Sequence, residues 1–235
     1  MDTLPVFLHI PKTAGTAMRS VIEKNVPPQK RVEIYRAGAK TLAEALWDQR
    51  DKMWNAEVVL GHIERRVHEF TPRVVTYFTI LRDPVERVIS LYKYIKVDFT
   101  KHPLHAQFNA GKTLDQWLRE RPRMASNVQT KMISGLATEY EPSTPYMLSV
   151  AKGALREMWA VGVQERYNES VDAICSALGW EPIYEERNRS SVGNRAFIEE
   201  DGISEETLAL IREMNDLDMA LYADAISLLD RKRAA

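Results

Sequence analysis

The sequence predicts an α/β fold: three layers, α/β/α, around a central parallel sheet, with a P-loop-like strand–loop–helix near its start. Three observations predict it. Short β-branched and aromatic runs alternate with amphipathic helical stretches along the chain, the pattern of parallel strands joined by crossover helices. The segment Phe7–Ala17 (FLHIPKTAGTA) carries an apolar run into a tight Lys/Thr/Gly turn and then into a helix-compatible run, MRSVIEK. The segment Tyr77–Tyr92 (YFTILRDPVERVISLY) does the same, its apolar run stopping at Arg82 before Asp83-Pro84 opens a helix.

In chain order, the first strand is PVFLHI, ending at Pro11. Thr41–Asn55 places Leu42, Ala45, Leu46 and Met53 on one helical stripe. Glu57–Leu60 reads as a short buried strand ending at Gly61-His62, and Arg73–Leu81 as the central strand. Asp83 suits an N-cap, Pro84 the first helical position, and Glu86 completes a capping box. That helix runs to about Val97 with Val85, Val88, Tyr92 and Ile95 toward the core and Glu86, Arg87, Ser90 and Lys93 elsewhere. Asp98–Lys112 reads as a loop. Thr113–Arg121 and Met147–Trp159 read as helices flanking Ser126–Gly135 and a Pro/Ser turn at Glu141–Pro145. Ala160–Gln164 is a late strand, Asn168–Leu178 a helix ended by Gly179, and Glu185–Arg195 a loop without periodicity. Ser204–Lys232 is helical, opened at Ser204 and broken near Asn215-Asp216.

Composition sets bounds on function. The 235 residues fit one domain, 1–235, with a well-buried core. A net charge of -1 excludes a global pull toward nucleic acid or anionic membrane, so any anion site must be local. The one cysteine, Cys175, excludes an internal disulfide and argues for a reducing compartment. The N-terminal apolar run is too short for a signal peptide or a membrane span.

The chemistry gathers on the two strand–turn–helix corners. A helix N-terminus presents unpaired N–H groups and a partial positive charge that favour anions. Lys12 precedes Gly15, whereas a Walker A lysine follows its glycine, so this loop differs in length and chemistry. Arg82 falls at the carboxyl end of a strand, with Ser90 about two helical turns beyond. Ligands of open α/β sheets bind outside those ends. Two such corners imply a ligand with two separated anionic ends.

PKTAGT followed roughly seventy positions later by RDPxxRxxSxY resembles the paired cofactor signatures of the sulfotransferases. It is most similar to the carbohydrate-type branch, which includes the heparan sulfate 2-O- and 6-O-sulfotransferases and many bacterial proteins. Gly61-His62, Ser126–Gly135, Val161–Ser170 and Asn215–Tyr222 resemble further family landmarks in the expected order. The resemblance implies the donor 3′-phosphoadenosine 5′-phosphosulfate (PAPS), leaving adenosine 3′,5′-bisphosphate as product. It implies that Lys12, Thr13, Gly15 and Thr16, in a loop with Ala14 and Ala17, hold the 5′ end, and that Arg82 and Ser90 hold the 3′-phosphate. Animal members of that branch are Golgi proteins with a membrane anchor. No anchor segment is visible, which leaves a bacterial, cytoplasmic relative or a trimmed piece of a longer protein; the methionine start sets the expectation of the first.

The expected reaction is transfer of a sulfuryl group from PAPS to a hydroxyl of a carbohydrate or small-metabolite acceptor. Lys12 would stabilise the leaving phosphate, as cations do in phosphoryl transfer. The sulfuryl group carries one negative charge, where a terminal phosphoryl group carries about two, so no metal is expected. The acceptor proton calls for a base near neutral pKa. Of His9, His62, His68, His102 and His105, His62 is the choice because it follows a strand directly and the family places a histidine at a comparable GH position. Glu64, His102 and His105 are alternatives, and His9 reads as structural. In the late loop Arg187, Arg189 and Arg195, with Asn188 and Ser190, could close over the nucleotide. Arg87 reads as an ion-pair residue. Two other readings stay open: a nucleotide-dependent phosphotransferase, and a non-catalytic protein binding a nucleotide or a sulfated glycan.

Overall fold

The computed structural model of the chain describes residues 3–35, 41–136, 142–184 and 190–234. Five described strands, β1 (Leu4–Leu8), β2 (Arg31–Ile34), β3 (Val58–Gly61), β4 (Val75–Leu81) and β5 (Ala160–Val163), pair in the order β2-β3-β1-β4-β5, every pair parallel. Successive side chains on a strand point to opposite faces, and here both faces are apolar. Leu4, Val6 and Leu8 join one core cluster, while Phe7 joins another with Phe78 and Ile80. Helices α1 (Gly15–Asn25) and α8 (Tyr167–Leu178) cover the Phe7 face. Helices α2 (Leu42–Met53), α6 (Val128–Ser134), α7 (Pro145–Glu157) and α11 (Asp216–Ala234) cover the other. The predicted three-layer arrangement is the one observed.

A third cluster sits off the sheet. It joins α3 (Pro84–Lys93), α4 (Pro103–Asn109), α5 (Leu114–Arg119), α9 (Ser190–Glu200) and α10 (Glu205–Met214) through Tyr92, Phe108, Trp117, Phe197 and Ile211. The strand order sends the chain from β1 toward β2 on one side and from β4 toward β5 on the other. A crevice therefore opens at the carboxyl ends of β1 and β4, the switch point of such sheets.

Several elements differ from the sequence reading. β2 is an additional edge strand: Val32 and Ile34 are buried while Arg31 and Glu33 stay partly exposed, a two-residue alternation too short to stand out. The expected loop at Asp98–Lys112 contains α4, capped by His102 and anchored by buried Phe108. The expected loop at Glu185–Arg195 is helical from Ser190, because Phe197 and Asn194 dock on the third cluster and on α3. α3 passes into a π-helical turn over Tyr94–Asp98. On α3, Arg87 is buried, donating from Nη2 to the Met124 carbonyl at 3.2 Å.

The landmark segments Ser126–Gly135 and Asn215–Tyr222 turn out to cap each other. The Asp218 carboxylate accepts from the backbone N–H groups of Gln129 (3.1 Å) and Thr130 (2.7 Å) at the start of α6. In return Asn127 Oδ1 accepts from Asp218 N at 3.0 Å, and Asn215 Oδ1 accepts from Asn127 N at 2.9 Å. Burial pulls the Arg87 guanidinium down to about 10, an effect opposed by the Asp218 carboxylate. Asp218 is fully buried, so its removal strands two helix N–H groups and leaves Arg87 without its counter-charge. Asp218→Ala is expected to cost about 3–5 kcal/mol of stability in urea denaturation. A loss below about 1 kcal/mol would mean that the cap and the counter-charge contribute little.

Candidate active site

The first corner, after β1, is shaped by unusual backbone. Lys12 (φ 71°) and Ala14 (φ 64°) both adopt the left-handed conformation. Residues other than glycine seldom do so, and such strain of order 1–3 kcal/mol per residue persists where surrounding contacts enforce it. One enforcing contact is internal: the fully buried Thr13 donates from Oγ1 to the Ile10 carbonyl at 2.9 Å. Ala14 is the N-cap of α1 and offers no side-chain oxygen, so the first-turn N–H groups are not capped by that residue. Gly15 is required for a different reason. A Cβ there would lie 1.9 Å from Cδ2 and Nε2 of His9, whose ring rests on the first turn of α1.

The second corner, after β4, centres on Arg82, which is 2% exposed. Its peptide is held on both sides by one buried side chain: Arg82 N donates to Gln129 Oε1 (3.0 Å), and Gln129 Nε2 donates to the Arg82 carbonyl (2.9 Å). Its guanidinium reaches across to the first corner, Nη1 donating to the Lys12 carbonyl at 3.3 Å, while Nη2 donates to Glu86 Oε2 at 3.4 Å. The Nε–H is buried and has no hydrogen-bond partner among the described residues. Burial lowers the Arg82 pKa, with Glu86, Glu165 and Asp83 opposing.

Asp83 caps α3 as expected, accepting from Val85 N (2.9 Å) and Glu86 N (3.0 Å). The rest of the anticipated capping box is not formed. Asp83 N donates instead to Glu165 Oε1 (3.1 Å), because Glu86 is drawn to Arg82 and to Asn194 Nδ2 (2.8 Å).

Lys12 is partly buried, with Nζ 4.1 Å from the centroid of the Tyr94 ring. Burial first, then the neighbouring Arg82 charge, lowers its pKa, and Asp98 partly offsets them. Three further rings complete the site. His9 Nδ1 and the Tyr35 hydroxyl share a 3.0 Å hydrogen bond, and the His62 ring stands edge-on to both. Burial, with His62 and Arg19 nearby, pushes the His9 imidazole down to about 3 and keeps it neutral.

Of the residues anticipated from sequence, Lys12, Ala14, Gly15, Thr16, Arg82, Ser90 and His62 line one cleft of about 470 Å³. Thr13 and Ala17 lie behind it, the first bonded within its own turn and the second packed on the α1 core. Arg187, Asn188 and Arg189 lie outside the described residues, and Arg195 is exposed on α9. His102 caps α4, His105 Nδ1 bonds the Ile95 carbonyl at 2.9 Å, and His68 pairs with Tyr77. His9 also lines the cleft, which the sequence reading had treated as a structural position. Tyr35, Tyr94, Gln129 and Gln164 were not singled out as site residues: Tyr35 follows the edge strand that was missed, and Gln129 stood inside a landmark without a role. Among the described residues no group of three or more His, Cys, Asp or Glu side chains forms a metal-ligand set.

The sequence matches the model of the Sulfotransferase family over residues 5–223. The chain belongs to this family. Heparan-sulfate 6-O-sulfotransferase 1 of Homo sapiens is 27% identical, the alignment covering 98% of this chain and 66% of the human protein. The Cricetulus griseus counterpart is 26% identical over 98% of this chain and 68% of its own length. Heparan-sulfate 6-O-sulfotransferase 2 of Danio rerio is 25% identical over 94% of this chain and 57% of its own. The chain thus spans about two thirds or less of these relatives' length. Mouse sulfotransferase SULT7A1 complexed with PAP aligns with a TM-score of 0.40 and 12% identity, over 82% of this chain and 64% of that one.

These relatives correct two expectations. The sulfotransferase-family chain is similar to animal heparan-sulfate 6-O-sulfotransferases, so its assignment as a bacterial cytosolic type does not stand. The cytoplasmic location falls with it, since those animal enzymes are Golgi proteins with a membrane anchor. Among the described residues no helix is long and apolar enough to cross a membrane.

The close approach of His9 to α1 can be measured. Gly15→Ala is expected to destabilise the fold by about 1–3 kcal/mol in thermal or urea unfolding, the cost of overpacking. Gly153 on α7, where an added Cβ meets nothing within 4 Å, is the contrast: Gly153→Ala is expected to stabilise by roughly 0.5–1 kcal/mol.

Proposed function

We propose that the chain, acting as one domain over residues 1–235, transfers a sulfuryl group from PAPS to a hydroxyl of a carbohydrate acceptor. The observation that carries this reading is the junction of the two corners. Arg82, seventy residues beyond Lys12, donates to the Lys12 carbonyl, and both cationic residues line one cleft. A single ligand with anionic groups at both ends fits that pairing. Burial of both cations makes the cleft more receptive, because an arriving anion restores the stabilisation that each lost on leaving water.

PAPS supplies the activated sulfuryl group. Lys12 and the N–H groups around Ala14, Gly15 and Thr16 hold the 5′ end, and Lys12 neutralises the charge that grows on the phosphate oxygen as its bond to sulfur breaks. Thr13 serves by shaping the turn, since its hydroxyl is committed to Ile10. Arg82, through its guanidinium, and Ser90 hold the 3′-phosphate. His62 takes the proton released when the acceptor oxygen bonds to sulfur. The carbohydrate acceptor is supported by the likeness to heparan-sulfate 6-O-sulfotransferases and by the Tyr35 ring beside His62 in the cleft. Arg189 remains a candidate for closing over the donor.

Adenosine 3′,5′-bisphosphate without metal is expected to raise the melting temperature, and ATP–Mg is not; the reverse result would favour a phosphotransferase. Lys12→Ala is expected to lower turnover by roughly 10²–10³-fold, or about 3–4 kcal/mol, as for other charge-stabilising donors. Near-normal turnover would remove Lys12 from the chemistry. Arg82→Lys keeps the charge but loses the fork. Calorimetry should show it weakening the bisphosphate by about 1.5–3 kcal/mol while adenosine 5′-phosphate is little affected.

A further inference from the structure

The register of the sheet places three polar rings side by side. Leu8 of β1 and Ile34 of β2 both pair with Gly61 of β3. The next residue on each strand is therefore His9, Tyr35 and His62, in neighbouring positions at the carboxyl edge, with His62 between the other two. Neighbouring strands run about 4.8 Å apart, so side chains leaving them at one level must touch. The rings are mutually steep: His9–His62 centroids are 4.6 Å apart at 69°, Tyr35–His62 5.1 Å at 83°, and His9–Tyr35 5.6 Å at 86°.

This triangle is tied down from outside. The His9 ring stacks on Phe7 (5.6 Å, 22°) and rests on the first turn of α1 at Gly15. His9 N donates to the Gly61 carbonyl at 3.0 Å. Gly61 itself accepts no side chain, because a Cβ would fall 2.0 Å from the Ile34 carbonyl oxygen. The glycine before His62 thus lets β2 approach closely enough for Tyr35 to reach the row.

We propose that His9 and Tyr35 are positioning residues for His62: they clamp its imidazole between two perpendicular rings so that one ring orientation faces the cleft. The inference rests on the reading of His62 as base. In that step the acceptor hydroxyl gives its proton to the imidazole, and the imidazolium that forms needs neighbours that do not repel it. His9, kept neutral by burial, and the Tyr35 ring meet that need, since aromatic faces tolerate a cation. The cation that bears on His9 and Tyr35 is already paired. Arg19 of α1, 5.4 Å from the Tyr35 centroid, is paired with Glu33 (2.7 Å) and Glu23 (2.8 Å).

The test compares the full chain with Tyr35→Phe, which removes only the hydroxyl bonded to His9, and with His9→Asn as a second variant. Ring-nitrogen shifts of His62 are recorded by NMR on histidine-labelled protein, and bisphosphate affinity by calorimetry. Expected results are a change in the His62 ring shifts in both variants, bisphosphate affinity within about twofold, and kcat lowered at least about tenfold with donor KM unchanged. That fall is part of the 10²–10⁴ that a positioned base contributes. Unaltered His62 shifts and kcat in both variants would overturn the inference. So would a loss of bisphosphate affinity equal to the loss in kcat/KM, which would mark general damage to the cleft. If the unmodified chain neither bound the bisphosphate nor turned over, the sulfuryl-transfer reading would fail, while the His62 shifts would still decide whether the clamp exists.

Discussion

The hydrogen bond from the Arg82 guanidinium to the Lys12 carbonyl holds the site together. It ties a loop whose backbone is strained at Lys12 and Ala14 to the end of the neighbouring strand. Left-handed backbone at two residues with side chains would relax if the loop were free to do so. The loop is restrained from inside by Thr13 on Ile10 and from outside by Arg82, so its geometry is set before any ligand arrives. The same contact brings two like charges together in a partly dry cleft. Folding bears that cost, and an anion between them offsets it.

Arg82 can do this because it is held from behind. Gln129 grips its peptide on both sides; Gln129 sits at the start of α6; and the α6 N-terminus is capped by Asp218 from α11. A run of buried polar contacts therefore leads from the C-terminal helices to the strand end that carries the guanidinium. Gln129 and Asp218 each bond backbone groups that would otherwise be stranded in the core, which makes the run intolerant of single losses. Glu86 joins the run on the solvent side and passes it to α9 through Asn194.

Much of this was legible in the sequence because it rests on local rules. The two strand–turn–helix corners, the Asp83 cap with Pro84, the Gly179 stop and the break at Asn215-Asp216 all follow from residue chemistry within a few positions. What could not be read depends on partners distant in sequence. Glu86 left its expected cap because Arg82 and Asn194 compete for it. α4 and α9 are fixed by Phe108 and Phe197, whose burial depends on a cluster far along the chain. β2 is an edge strand whose pattern is only two residues deep. Tyr35 went unnoticed for the same reason, and Gln129 because its role is a contact across 47 residues. Gly15 was noticed as a loop glycine, although its need for bareness comes from His9 and not from φ.

The distribution of charge then explains how a chain with net charge -1 can be built to receive a strongly anionic ligand. The cleft divides into two halves. Lys12 and Arg82 form the cationic half, where burial sharpens the field of each charge and limits screening by salt. His9, Tyr35 and His62 form the aromatic half, where Arg19, the cation over Tyr35, is matched by Glu23 and Glu33. A neutral hydroxyl suits the second half and a ligand with two anionic ends the first. A uniformly basic surface would attract anions everywhere and would repel the proton that a base must accept. Keeping the two halves electrostatically distinct, within one cleft at one sheet edge, gives each the environment that its proposed step requires.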